Sequence, residues 1–153
     1  MGTDIHVRIE VLFEGDSTYT FIGNGQGDRH YDLFGVLSGV RSDNYGEGFF
    51  LIDADNYITE ELAKEHNCSP ELCEEIKDSW GGCGHDFSIA TLGQLKSLSE
   101  IEDDGEDDTW SAEIREIAEG SEQLHLWIEL MEALKTKLGD AIQETRVVFW
   151  YDS

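Results

Sequence analysis

The sequence predicts an α+β fold in which a small, largely antiparallel sheet contains both terminal strands and helices pack over one face. Apolar and polar residues alternate over residues 4–13, the period of a strand with one buried side. Residues 145–151 are almost all β-branched or aromatic, which is typical of an interior strand, and we expect this strand beside the first. The 153 residues suit one globular domain, 1–153, with an acidic loop at about 100–108.

The first strand is predicted to continue into a hairpin and then a helix. Residues 14–18 are turn formers, and residues 19–22 form a short returning strand. Apolar residues at helical spacing then predict a helix from Tyr31, capped by Asp32 and ended by Gly39 in the left-handed conformation.

The middle of the chain predicts a short strand and two short helices. Residues 49–52 are apolar and follow a loop, so a strand is expected there. One helix should start at Thr59 and run to His66, and the next should start at Ser69 with Pro70 in its first turn.

The last third predicts helices before the final strand. Thr91 and Gln94 have the spacing of a capping box, so His85 is expected on a flexible approach to a helix N-terminus. Beyond the acidic loop, apolar residues indicate one long helix or two joined near Gly120, ending at Gly139.

The charge limits the classes of partner. A formal charge of -24, from 34 acids against 10 bases, repels phosphate backbones and anionic lipid, so neither direct nucleic-acid binding nor membrane binding is expected. No apolar run approaches the roughly 18 residues of a membrane helix. Three cysteines and the absence of a leader before the first strand favour the cytoplasm. The acidity fits either a mimic of nucleic acid or adaptation to salt.

Polar residues on the first strand are candidate ligands for a metal. Asp4, His6 and Glu10 share one face, and His85 can join them from its loop. Carboxylates and imidazoles bind divalent ions such as Zn²⁺ or Mn²⁺, so we predict Asp4, His6 and His85 as ligands and Glu10 as a base or a further ligand. The alternative is that this face is only the solvated side of a sheet.

Two arginines bracket the predicted helix at residue 31. Arg29 and Arg41 are candidate anion-binding groups, because a guanidinium forms two parallel hydrogen bonds with a phosphate or carboxylate. The alternative is that each arginine pairs with a carboxylate of this acidic chain.

The cysteines allow a second kind of site. Cys68, Cys73 and Cys83 with His85 supply four donors for a structural zinc ion, although their spacing matches no common zinc module. The alternative is ordinary buried thiols.

Short blocks along nearly the whole chain resemble one family. The blocks are Met-Gly-x-Asp-Ile-His at residues 1–6, Arg-x-Tyr-x-Leu-Phe at 29–34, Leu-x-Gly-Val-Arg at 37–41, Gly-His-x-x-Ser at 84–88, Thr-Leu-x-x-Leu at 91–95 and Val-Phe-Trp-Tyr-Asp at 148–152. They resemble a family of small bacteriophage and prophage proteins, without an established activity, that begin Met-Gly-Cys-Asp-Ile-His. The resemblance implies a phage-related protein of the host cytoplasm. It singles out a polar set: Asp4, His6, Glu10, Arg29, Arg41, His85 and Ser88. The chain departs from the family in having Thr3 in place of the cysteine.

Two functions follow as predictions. The first is a phage-type, metal-assisted hydrolase or phosphoesterase that acts on an anionic small molecule, with Glu10 and Ser88 as catalytic residues. The second is a non-enzymatic acidic inhibitor or nucleic-acid mimic that binds a basic host protein, such as a defence protein. If a site exists, Asp4, His6, Arg41 and His85 should form one cluster, whereas four aspartates of the acidic loop should stand alone in solvent: Asp103, Asp104, Asp107 and Asp108.

Overall fold

The computed structural model describes residues 2–41, 45–101 and 109–153, without the side chains of residues 55, 56, 109 and 110. Its centre is an antiparallel sheet of five strands in the order β2-β1-β5-β4-β3. The strands are β1 (Asp4–Phe13), β2 (Thr20–Asn24), β3 (Leu51–Tyr57), β4 (His85–Thr91) and β5 (Ile142–Asp152). The helices are α1 (Tyr31–Ser38), α2 (Glu60–Glu65), α3 (Pro70–Glu75), α4 (Leu92–Ser97), α5 (Thr109–Gly120) and α6 (Glu122–Leu138).

The terminal strands pair along their whole length, which confirms the predicted α+β class and the sheet that contains both of them. Asp4 lies opposite Asp152 and Phe13 lies opposite Ile142. The predicted hairpin of β1 and β2 is also present.

The helices cover both faces of the sheet, so the prediction that they pack over one face is wrong. Val147, Phe149 and Tyr151 point to the major face, which α1, α4, α5 and α6 cover. Val148 and Trp150 point to the minor face, which α2, α3 and the π-helical turn Ile76–Trp80 cover. The reason is β5 itself, because a strand that is apolar on both sides needs cover on both sides.

Most predicted helix ends are confirmed. Gly39 ends α1 in the left-handed conformation, and Thr91 with Gln94 forms the capping box of α4. The N-cap of α1 is His30 rather than Asp32, because the His30 ring accepts the Leu33 N–H at 3.1 Å.

Other predicted elements differ in extent. β3 covers Leu51–Tyr57 rather than residues 49–52, and His85 begins strand β4 instead of lying on a flexible approach to a helix. The last helical segment is two helices, because Ser121 caps a new start for α6.

The predicted acidic loop lies mainly outside the described residues, and so do its four aspartates, Asp103, Asp104, Asp107 and Asp108. In the described parts of the chain, no helix combines the length and the apolar character that crossing a bilayer requires.

Candidate functional site

Most of the predicted polar residues meet at one end of the sheet. There the start of β1, the end of β5 and the start of β4 lie side by side, with Asp4 opposite Asp152 and His85 opposite Tyr151. Arg29 reaches this end and donates from Nε to Asp4 Oδ1 at 2.6 Å. A hydrogen bond from Arg29 holds the pKa of the exposed Asp4 carboxyl below its ordinary value. We call this region the His85 end.

A continuous chain of hydrogen bonds crosses the His85 end. Asp86 binds His85 Nδ1, and His85 Nε2 lies 3.1 Å from Ser153 Oγ. Ser153 Oγ lies 3.0 Å from Thr3 Oγ1, which accepts the Arg41 Nε–H at 2.9 Å. We call these five residues the His85 relay. A carboxylate, an imidazole and a hydroxyl in this order are the groups of a nucleophile activated by a base that a third group orients.

Aromatic rings hold the relay in position. The Tyr31 hydroxyl oxygen accepts the backbone N–H of Thr3 at 3.2 Å, and the Arg41 guanidinium carbon lies 5.2 Å from the centre of the Tyr31 ring. The His85 ring stacks near Tyr151, with 6.3 Å between centroids. These contacts leave Thr3 buried at 1% exposure, whereas Arg41 and Ser153 reach solvent.

The backbone is strained at two positions of the relay. Arg41 has φ 61° and Asp86 has φ 53°, in the left-handed region that side chains with a Cβ rarely adopt. Among the described residues other than glycine, the third case is Asn67. Such conformations cost on the order of 1 to 3 kcal/mol each and concentrate at functional sites.

A buried hydroxyl network supports Asp86 from the major face. The Tyr151 hydroxyl donates to Ser38 Oγ at 3.0 Å, and Ser38 Oγ lies 2.6 Å from Ser88 Oγ. Ser88 also donates to the Asp86 carbonyl at 3.0 Å. Burial raises the pKa of Tyr151 far above its ordinary value, so its hydroxyl stays protonated. Ser88 is 0% exposed, so the predicted catalytic serine cannot reach a substrate here and instead fixes the carbonyl beside His85.

The predicted metal ligands are not brought together. His6 lies opposite Trp150 and faces the minor side, where its Nε2 is 3.2 Å from Asp152 Oδ1. His85 lies opposite Tyr151, whose side chain faces the major side. Since neighbouring residues of a strand point to opposite faces, the sheet separates the two imidazoles. The predicted single cluster is therefore wrong, although Arg41 and His85 do share the relay.

The described residues contain no other group of donors in place of that set. Within the described residues, no three side chains among His, Cys, Asp and Glu converge as a metal ion would require. Cys68 and Cys73 are buried and Cys83 is exposed, so the predicted zinc series is dispersed. Burial raises the pKa of the Cys68 thiol to about 12, which keeps it protonated.

Glu10 has a structural position rather than the predicted catalytic one. It is 0% exposed and pairs with Arg146 Nη2 at 3.0 Å, while its other oxygen accepts the Ser69 N–H at 2.8 Å. It lies four residues along β1 from His6, roughly 13 Å away at the rise of a strand. Glu10 thus joins β1 to β5 and to the start of α3.

Sequence reasoning missed three members of the relay. Asp86 directly follows His85, and this adjacency was the available signal. Thr3 and Ser153 had none, because their meeting depends on the register of β1 against β5, which places Asp4 opposite Asp152.

The His85 end also gathers basic groups. Two of the five arginines and two of the five histidines belong to it, beside the carboxylates of Asp4, Asp86 and Asp152: Arg29, Arg41, His6 and His85. In a chain of charge -24, two arginines at one end of the sheet favour binding of an anionic ligand there.

No family model, curated protein or solved structure matches the chain.

Proposed function

We propose that the His85 relay is the active site of a hydrolase that cleaves esters of small anionic molecules, phosphoesters included. The observation that supports this most directly is the order Asp86, His85, Ser153, with the His85 nitrogens bonded to a carboxylate on one side and a solvent-reaching hydroxyl on the other.

The relay can move one proton through the complete reaction. Ser153 Oγ attacks the ester centre while His85 Nε2 takes the hydroxyl proton, and Asp86 holds the Nδ1–H. His85 then gives that proton to the leaving alkoxide, which departs as the alcohol. His85 then takes a proton from a water molecule, and the resulting hydroxide attacks the covalent ester on Ser153. The bond to Ser153 Oγ breaks, the acid product leaves, and His85 returns the proton to Ser153 Oγ.

Arg41 supplies the positive charge for the anionic part of the substrate. Its Nε is bonded to Thr3 Oγ1, one hydrogen bond from Ser153 Oγ. A guanidinium so placed favours a phosphate or carboxylate beside the attacking oxygen. Arg29 is partly neutralised by Asp4 and has a secondary role in attraction.

The test is turnover of chromogenic esters: a phosphomonoester, a phosphodiester and a carboxylic ester with an acidic tail. Ser153→Ala and His85→Ala should each lower kcat/KM by about 100-fold or more, since the nucleophile or its base is lost. Ser97→Ala and His125→Ala are matched controls, because both residues are exposed and lie outside the relay. No turnover of any ester, or equal turnover by all four variants, would refute the proposal.

The same assay tests the predicted Zn²⁺ or Mn²⁺. The serine route predicts activity that survives a chelator. Activity that is lost with the chelator and restored by either ion would favour the metal-assisted version instead.

A second candidate function is binding of a basic host protein through the acidic surface. The helices of the minor face carry exposed carboxylates on their outer sides: Glu61, Glu65, Glu71, Glu74 and Asp78. Attraction between exposed charges is screened within about 8 Å at physiological salt. Retention of basic proteins from a bacterial lysate should therefore fall steeply with salt, and retention indifferent to salt would contradict this function.

A further inference from the structure

One edge of the sheet is open and apolar. β3 is the last strand of the sheet and pairs only with β4 in the described part of the chain. The outer side of such a strand presents N–H and C=O groups that another chain can pair with. Large apolar side chains stand on this strand and just before it, with Phe49 at 52%, Ile52 at 41% and Tyr57 at 58% exposure, and the strand sequence also includes Asp53 and Asp55.

Acidic side chains lie next to these apolar groups. A groove of about 340 Å³ runs from the strand to α2, and Asp53, Tyr57, Glu61 and Glu65 are among its lining residues. Glu61 and Glu65 are exposed. An extended segment laid along β3 would therefore meet aromatic and aliphatic surface together with negative charge.

The net charge of the protein indicates which kind of segment would pair with β3. A second copy of this chain would bring -24 against -24 and would place the same acidic strand beside itself. A segment rich in lysine or arginine has the opposite charge, and its cations can also lie over the exposed Tyr57 ring. Peptides commonly bind by pairing their backbone with the edge strand of a sheet, and side-chain contacts then determine which peptide sequence binds.

We propose that the outer edge of β3 binds a basic, extended segment of another protein, which adds a sixth strand to the sheet. The proposal rests on the second function above for the charge of the partner, and it adds the location and the mode of binding. It is independent of the hydrolase.

The probe is a fluorescent peptide of alternating lysine and threonine, whose binding is measured by anisotropy at low salt. Ile52→Lys should weaken binding at least ten-fold, because it places a cation on the docking edge. Ile22→Lys is the matched control: Ile22 is 40% exposed and lies in β2, the opposite edge strand. It should change affinity less than two-fold, and circular dichroism checks that both variants are folded.

A second measurement uses only the wild-type protein. The same peptide with alternate backbone nitrogens methylated keeps its charge but cannot pair with a strand, so its affinity should fall at least ten-fold. Equal binding of the two peptides, equal loss in the two variants, or no binding of the basic peptide would overturn the proposal. If both variants bind equally but an acidic peptide does not bind, the acidic surface still attracts basic partners and only the β3 site is refuted.

Discussion

The two faces of the sheet use a histidine and an aspartate differently at the same end. On the minor face, His6 bonds to Asp152 and its ring lies 4.1 Å from Trp80 and 6.1 Å from Trp150, measured between centroids. On the major face, His85 bonds to Asp86 and continues to a hydroxyl. The two histidine–aspartate pairs thus differ at the second nitrogen of the ring. In His85 this nitrogen bonds to the Ser153 hydroxyl, which allows proton transfer in the proposed reaction.

The largest expected difference is in activity. His85→Ala should lower kcat/KM by about 100-fold or more, whereas His6→Ala should change it less than about three-fold because His6 faces the other side. Metal content should be measured on both variants and on wild type, all purified without a histidine tag. An equal loss of activity in both variants would show that His6 belongs to the active site. So would metal that binds to the wild type and is lost in both variants.

The support of the relay gives a smaller effect. Ser88→Ala removes the bond to the Asp86 carbonyl and leaves Ser38 with one partner fewer. We expect a loss of about 1 to 3 kcal/mol in the free energy of unfolding, measured by urea denaturation. A positioning role further predicts a fall in kcat of about ten-fold with KM nearly unchanged. A loss of stability with kcat intact would leave Ser88 as a packing residue only.

On the minor face, Glu75 should make the free energy of unfolding depend on pH. Burial raises the pKa of Glu75, but hydrogen bonds from Arg8 and Trp80 outweigh it and the net shift is downward. A carboxyl with a lowered folded pKa stabilises the fold above its unfolded value, and that contribution disappears as pH falls through the folded value. Wild type should therefore lose more unfolding free energy than Glu75→Gln between about pH 5 and pH 3, around the ordinary carboxyl pKa. Parallel curves would contradict this.

The smallest effect concerns thiols. Cys83 is exposed, whereas Cys68 and Cys73 are buried beneath the minor face. A thiol reagent at pH 8 should label one cysteine per chain in the native protein and three after unfolding. Cys83→Ser should abolish native labelling, and rapid labelling of two or more native thiols would show that the minor face opens readily.

The patterns that the sequence predicted well are local. Alternation in β1, the apolar run of β5, the left-handed Gly39 and the Thr91 capping box depend on neighbours a few residues apart. Which side chains share a face of the sheet, and which meet in the site, depends instead on the register of strand pairing. The sequence predicts that His85 joins His6 from a loop, but His85 lies in β4 opposite Tyr151 rather than Trp150, which assigns it to the other face. Thr3 and Ser153 meet only through the pairing of β1 with β5.

The pairing of β1 with β5 also constrains how the protein is made. Asp4 lies opposite Asp152, so β5, the central strand of the sheet, is synthesised after its partner β1 and after every described strand and helix between them. Protein synthesis proceeds at roughly 5 to 20 residues per second, so β1 remains unpaired along its inner edge for several seconds or more before β5 is made. The sheet can form completely only after β5 has been synthesised. Until then, repulsion between the many carboxylates opposes association of the incomplete chains.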